Sequence, residues 1–430
     1  MLKKEITPGC RLAVYPLAAV LGFFSALLLS QSIGTTESLL FAGAFSLWCA
    51  AFFSRRHISI SHSILCGAAL FALFAARMAV LPVISPDCQD YLLPWADAMS
   101  SMSFKEVMLG RVGDYTVLYQ YFVFLISRLP QSINLVAIYK LLPIGFEALL
   151  AYSAASLACL AREEETDRPC FSAVFLVVLA LPTVFLNGAY WSQCDAVFTS
   201  LALFGVLQIL KKHPHAGCVF LALSLCLKLQ AVFILPVCAA LLFHRKVSIR
   251  HAMTAAATVL LVSVPALLAG KGIKGVLGVY LYQMGEYKQL VLDAPTLYQF
   301  LPENASSKLG ILLAAGAMCL ILAACVFCKK PEAKTFLDVC SALCIAIPFF
   351  LPHMHERYFF LADVLAVSYA AAHPRRLYAP VVVLLGSLNG YCAYLFKAPL
   401  MGWMLPTAAI LLLICATFAL LVRDAAKAAD

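Results

Sequence analysis

Carboxylates set beside aromatic rings are the first chemistry this chain offers. The stretch SPDCQDYLLPWADAM places Asp87, Asp90 and Asp97 close to Tyr91 and Trp95, and GRVGDYTVLYQYF adds Asp114. A carboxylate partly withdrawn from water has its pKa pushed upward, toward that of a useful general base. Asp87 and Asp97 read as acids that keep a long loop soluble. Asp90 and Asp114 each precede a tyrosine, in QDY and GDY, and are the better candidates for catalysis. A second cluster is NGAYWSQCDAVF, with Trp191, Gln193 and Asp195. Asp195 alone would be an ordinary first-turn residue stabilised by the helix dipole. Trp191 and Gln193 beside it suit sugar recognition. A ring covers the apolar face of a sugar while amide and carboxylate bond its hydroxyls.

Cations supply the complementary chemistry. Lys228, in ALSLCLKLQAVFILP, interrupts an apolar run, and such a lysine is costly in a bilayer. It either snorkels to the surface or contacts a phosphate, with Gln230 at the same tip of a helical hairpin. HMHERYFFLAD brings His353, His355, Glu356 and Arg357 together. The two histidines are i, i+2 and do not form HExxH, so no metal site is read here. Arg357 offers a planar fork suited to phosphate. The stretch 285–304 carries Tyr287, Asp293, Tyr298, Gln299 and Glu303, and reads as a lid or acceptor-contact loop. Its Asn304 opens one glycosylation triplet, a frequency near chance.

The elements that must position these residues follow from composition. Of 430 residues 63% are hydrophobic and 12% charged, with mean hydropathy +0.91. Soluble domains carry roughly 25% charged residues, so a soluble multi-domain enzyme is excluded. The net charge of +9 is scattered over short clusters, which excludes a nucleic-acid binder. Continuous apolar segments exclude an outer-membrane barrel. Most of the 17 cysteines lie inside apolar runs and act as small hydrophobes.

Apolar segments fall near 12–30, 38–53, 62–82, 115–160, 171–186, 195–210, 216–227, 229–243, 252–269, 309–327, 336–351, 358–372, 377–395 and 404–422. The first follows the basic MLKKEITPGCR and reads as a retained signal anchor. Zone 115–160 contains either one long crossing with an interfacial helix or three short crossings. The expected fold is an all-α polytopic membrane protein, a single integral membrane domain over 1–430. Basic residues at Lys3, Arg55, Lys211, Arg245, Lys329, Arg375 and Arg423 mark one side as cytoplasmic. That arrangement gives about 14 crossings with both termini cytoplasmic. The loops at 83–114, 187–195, 270–308 and 352–360 then face the extracytoplasmic side and hold the candidate site.

DYLLPW, GDYTVLYQYF, NGAYWSQCDAVF, KLQAVFILP, APTLYQFLP and HERYFFLADVL occur in that order between about residues 85 and 370. Together they resemble the bacterial membrane proteins related to GPI mannosyltransferase II, in the GT-C superfamily of polyprenyl-phosphate-sugar-dependent glycosyltransferases. The resemblance implies inverting transfer of a sugar, mannose first, from a polyprenyl-phosphate donor to an extracytoplasmic glycan, lipid or protein acceptor. It implies Asp90 as base, with Asp87 as the other member of an acidic pair and the choice between them open. Asp114 would orient the acceptor. Gln193 and Asp195 would line the sugar site, with Tyr91, Trp95, Trp191 and Tyr298 as further contacts. Lys228, His355 and Arg357 would surround the phosphate, with His353 and Glu356 of the same cluster as further substrate-binding candidates. No cofactor is implied; a divalent metal is compatible with the chemistry and not required by it. The competing reading is a polytopic transporter or a flippase of lipid-linked saccharides.

Overall fold

The structure, a computed structural model, describes residues 34–54, 60–113, 115–163, 169–283 and 288–427. The expected signal-anchor helix at 12–30 lies outside the described residues, as do Asp114 and Tyr287. The chain is an all-α polytopic membrane protein. Among the described residues eight helices are long and apolar enough to cross a membrane: those beginning at Thr35, His62, Leu135, Ile249, Ser307, Ala333, Pro374 and Met404. The pair Pro169–Ala180 and Pro182–Tyr190, bent by 52°, makes a ninth if it crosses as one broken span. A bilayer offers backbone groups no water, so such segments must close their own hydrogen bonds as helices.

Packing centres on Leu135–Ala161. This helix touches Thr35–Phe53, Pro169–Ala180, Asp195–Leu210, Ala333–Phe350 and Phe360–Ala372. Its face carries Ala151, Ala154, Ala155 and Ala158, all buried. Small residues let helices approach closely where lipid supplies no hydrophobic drive. One very close approach joins Asp195–Leu210 to Pro214–Leu227. A Cβ on Gly205 would stand 2.9 Å from the Gly217 carbonyl, and one on Gly217 would stand 2.6 Å from that of Gly205. These two helices therefore lie backbone to backbone.

Zone 115–160 contains one long crossing. Val117–Ile126 has only ten residues, a rise of about 15 Å against a hydrocarbon core of about 30 Å. Both of its ends stay with the acidic loop and its neighbours. Thr116 Oγ1 donates to the Cys226 carbonyl, and Arg128 donates to that of Ser100 at 2.6 Å. Of the two, only Leu135–Ala161 is long and apolar enough to cross.

Polar loops collect at two ends. At one, Ser85 donates to the Trp191 carbonyl at 2.8 Å and Lys271 to that of Gly110 at 2.8 Å. There Val291–Leu292 also pairs in parallel with Met354–His355. At the other, Leu160, Glu163, Lys246, Glu332 and Lys334 line one cavity of about 530 Å³. Arg162 donates to the Ala371 carbonyl there at 2.8 Å, and His373 meets Asp338 at 2.7 Å. The loops rich in acids and rings share the first end; basic clusters occupy the second.

Candidate functional site

Asp195 opens its helix at the first end and is 2% exposed. Its Oδ1 accepts from Lys228 Nζ. Its Oδ2 accepts from Asn187 Nδ2 at 2.7 Å and lies 3.9 Å from Arg357 Nε. The close crossing at Gly205 and Gly217 aligns the two helices that bring Asp195 and Lys228 together. Pro214–Leu227 stops at Lys228, whose backbone is extended (φ −153°, ψ 137°), and Leu229–Phe233 turns back as a short 3-10 segment. Lys228 thus lies at the tip of a hairpin, but its side chain turns inward rather than snorkelling.

Arg357 continues the network. Its Nη1 donates to Glu356 Oε1, and Glu356 Oε2 lies 3.4 Å from His355 Nδ1. Burial alone would push the Glu356 carboxyl up; Arg357 and His355 outweigh it and hold it below its ordinary value. Burial also opposes the Arg357 charge, but Glu356 and Asp195 keep the guanidinium protonated. The guanidinium lies 5.1 Å from the centre of the Trp191 ring. Trp191 is fully buried, stacked on Tyr394 at 4.9 Å and edge-on to Tyr391 at 5.6 Å.

A second acid joins through Gln193. Gln193 Nε2 donates to Asp87 Oδ2 at 2.8 Å, and Tyr394 OH donates to Asp87 Oδ1 at 2.7 Å. Tyr115 OH donates to Gln193 Oε1 at 3.4 Å. Burial, above all, pushes that hydroxyl far up, so it remains a donor. Asp87, treated as a solubilising acid on sequence grounds, is, among the described residues, the first-loop carboxylate that this network engages. Asp90 is exposed, and so is Asp97. Two single turns of π-helix flank the site, Cys88–Leu92 and Leu186–Tyr190, a geometry frequent at functional positions.

Other expected residues serve nearby or elsewhere. Tyr91 lies 5.9 Å from Trp95, which lies 5.8 Å from Tyr115, forming an aromatic wall beside the acids. His353 binds the two loops together: its N–H donates to the Leu290 carbonyl at 2.8 Å, and its Nδ1 meets that of Gln289 at 2.7 Å. Tyr298 lies apart, closing the start of Ser307–Val326 by accepting from Gly310 N–H at 3.2 Å. Gln299 donates to the Ala294 carbonyl at 3.0 Å. Asn187, Tyr391 and Tyr394 were not singled out from the sequence. Ser387, Tyr391 and Tyr394 recur at i, i+4, i+7 in an apolar helix, a polar stripe that could have signalled them.

Two buried donors, Trp191 Nε1 and Arg357 Nε, have no hydrogen-bond partner. Leaving a buried donor unpaired costs about 1–3 kcal/mol, a cost that an acceptor oxygen on a ligand would remove. Among the described residues no group of three or more His, Cys, Asp and Glu could hold a metal ion. No protein-family model matches the chain, and no curated protein matches it.

Proposed function

We propose that this chain is an inverting membrane glycosyltransferase that moves a sugar, mannose first, from a polyprenyl-phosphate donor to an extracytoplasmic acceptor. The observation that carries the reading is the meeting of Asp87 with the Lys228–Asp195–Arg357–Glu356 network beside a buried tryptophan. The order of the six sequence motifs supports it. In this reading Asp87, not Asp90, takes the acceptor proton, and Gln193 and Asp195 bond sugar hydroxyls. Arg357, Lys228 and His355 receive the phosphate leaving group. Both Lys228 and Arg357 already carry a carboxylate partner, so the phosphate is held by oriented donors more than by excess charge. Displacement by the acceptor hydroxyl breaks the sugar–phosphate bond and inverts the anomeric carbon; no covalent enzyme intermediate forms. The proposal includes about 14 crossings, termini in the cytoplasm and the site outside.

A transporter or flippase is the second reading, favoured by the two helix breaks that flank the network, at 181–195 and at Lys228. Discontinuous helices are common at transport sites. Purified protein with labelled polyprenyl-phosphate-mannose and a set of glycan and lipid acceptors separates the two. Release of free polyprenyl phosphate with a labelled product supports transfer. An intact donor that crosses the bilayer of a proteoliposome supports transport.

A further inference from the structure

Below the site, inside the bundle, stands a carboxylate that the proposed chemistry leaves unused. Asp363 lies in the first turn of Phe360–Ala372 and is 1% exposed. The Thr183 and Ser387 hydroxyls face it, and both residues are fully buried. They stand close enough to act on the carboxylate, yet neither contact has the distance and angle of a closed hydrogen bond. Both Asp363 oxygens and both hydroxyl oxygens lack a partner. Three elements meet here: Phe360–Ala372, Tyr378–Phe396 and the short Pro182–Phe185.

Four unpaired oxygens, two of a carboxylate and two of the hydroxyls facing it, are costly unless something sits between them. Each unpaired buried polar group costs about 1–3 kcal/mol, and an uncompensated carboxylate costs more. An apolar void would leave that cost in place. A hard cation removes it, because such ions take carboxylate, hydroxyl and carbonyl oxygens together. The helix break beside Thr183 also leaves carbonyls short of donors. Pro169–Ala180 ends there, and its last-turn carbonyls have no intrahelical donors. Arg77 takes only the Leu179 carbonyl, at 2.8 Å, and Leu181 N–H bonds that of Val178 at 3.3 Å. A single carboxylate balances a single charge, and among the described residues no further acid or His completes a divalent group.

We propose that Asp363, Thr183 and Ser387 form a buried site for one sodium ion, which ties the broken helix to the two helices packed on it. The site sits one helical turn from the candidate active site, because Ser387 precedes Tyr391 by four residues and Tyr391 bonds Asn187. The inference does not rest on the glycosyltransferase reading.

Thermal unfolding of the purified protein in detergent tests it, in sodium, potassium and choline chloride at equal ionic strength and neutral pH. The expected result is a Tm that rises with sodium concentration and saturates, as binding to the folded state requires. Asp363→Asn should abolish the rise. Should that variant fail to fold, Ser387→Ala and Thr183→Val each remove one ligand and should shift the sodium midpoint at least severalfold higher. Equal Tm in sodium and choline overturns the proposal. So does a sodium response that Ser387→Ala and Thr183→Val leave at the same midpoint, since the ion then sits elsewhere.

Discussion

Asp87 and Asp90 are three residues apart, and only Asp87 bonds Gln193 and Tyr394. Under the proposed function, Asp87→Asn should lower release of polyprenyl phosphate by about 10²–10⁴-fold, the usual loss for a general base. Asp90→Asn should stay within a few-fold; the reverse order would return the base role to Asp90. Lys228→Met leaves Asp195 charged and buried without its ammonium. Breaking such a pair costs about 3–5 kcal/mol, visible as a drop in Tm. Adding Asp195→Asn should restore much of the stability and none of the activity. A full loss of Tm in the double variant would mean that the pair serves folding alone. Glu356 is held below its ordinary value near 4.5 by Arg357 and His355, against its burial. Its contribution is therefore fully present above that ordinary value and is lost as pH falls through the lower folded value. Glu356→Gln should flatten the fall of Tm below about pH 4.5; an unaltered acid limb would assign that fall to other carboxylates.

Elements set these distances more than loops do. Gly390 shows how. A Cβ there would stand 2.4 Å from the Asp293 carbonyl and 3.2 Å from Glu356 Cα. The helix Tyr378–Phe396 is thus pressed against both loops joined by the two-residue parallel bridge. Gly390→Ala should push those loops off and move Glu356, and with it Arg357. The expected outcome is a lower Tm together with weaker use of donor. Gly43→Ala is the control, since its Cβ meets nothing within 4 Å. In a helix interior that change gains about 0.5–1 kcal/mol. Equal Tm in the two variants would show that the loops adjust freely to the added methyl. Arg77 works at the same scale. It donates to Glu147 at 2.6 Å and to the Leu179 carbonyl at 2.8 Å, bracing the bend that leads into 187–195.

The molecule as a whole has an acid-and-aromatic end and a basic end, and their separation is what membrane insertion reads. If the basic end is cytoplasmic, Ser101→Cys in a cysteine-depleted background should react with an impermeant reagent in intact cells. Lys212→Cys should react only after permeabilisation; both positions are exposed. The opposite pattern would invert the molecule and put the candidate site inside. The helices at Ile249–Leu268 and Ser307–Val326 bury little of their surface. They present that surface to lipid, and under the proposed function a polyprenyl chain would approach from that side.

The sequence by itself determined the class of the protein, its long apolar helices and the stretches that carry polar chemistry, but the helices Leu93–Ser100, Phe104–Leu109 and Ile273–Gln283 fall in stretches that it reads as loops. Hydropathy is local and additive over some twenty residues, so these features survive without knowledge of packing. The break at Lys228 and the helix start at Asp195 were legible for the same reason. Only the tertiary structure decided which acid the polar network engages. Gln193 is 106 residues from Asp87 and Tyr394 is 307, and no local pattern joins them. Likewise the inward turn of Lys228 depends on Gly205 and Gly217 letting two helices touch, and Tyr298 belongs to a helix start rather than to the ligand cluster. A side chain's role is a matter of which partner lies within about 3 Å, and helix packing, not sequence spacing, sets that distance.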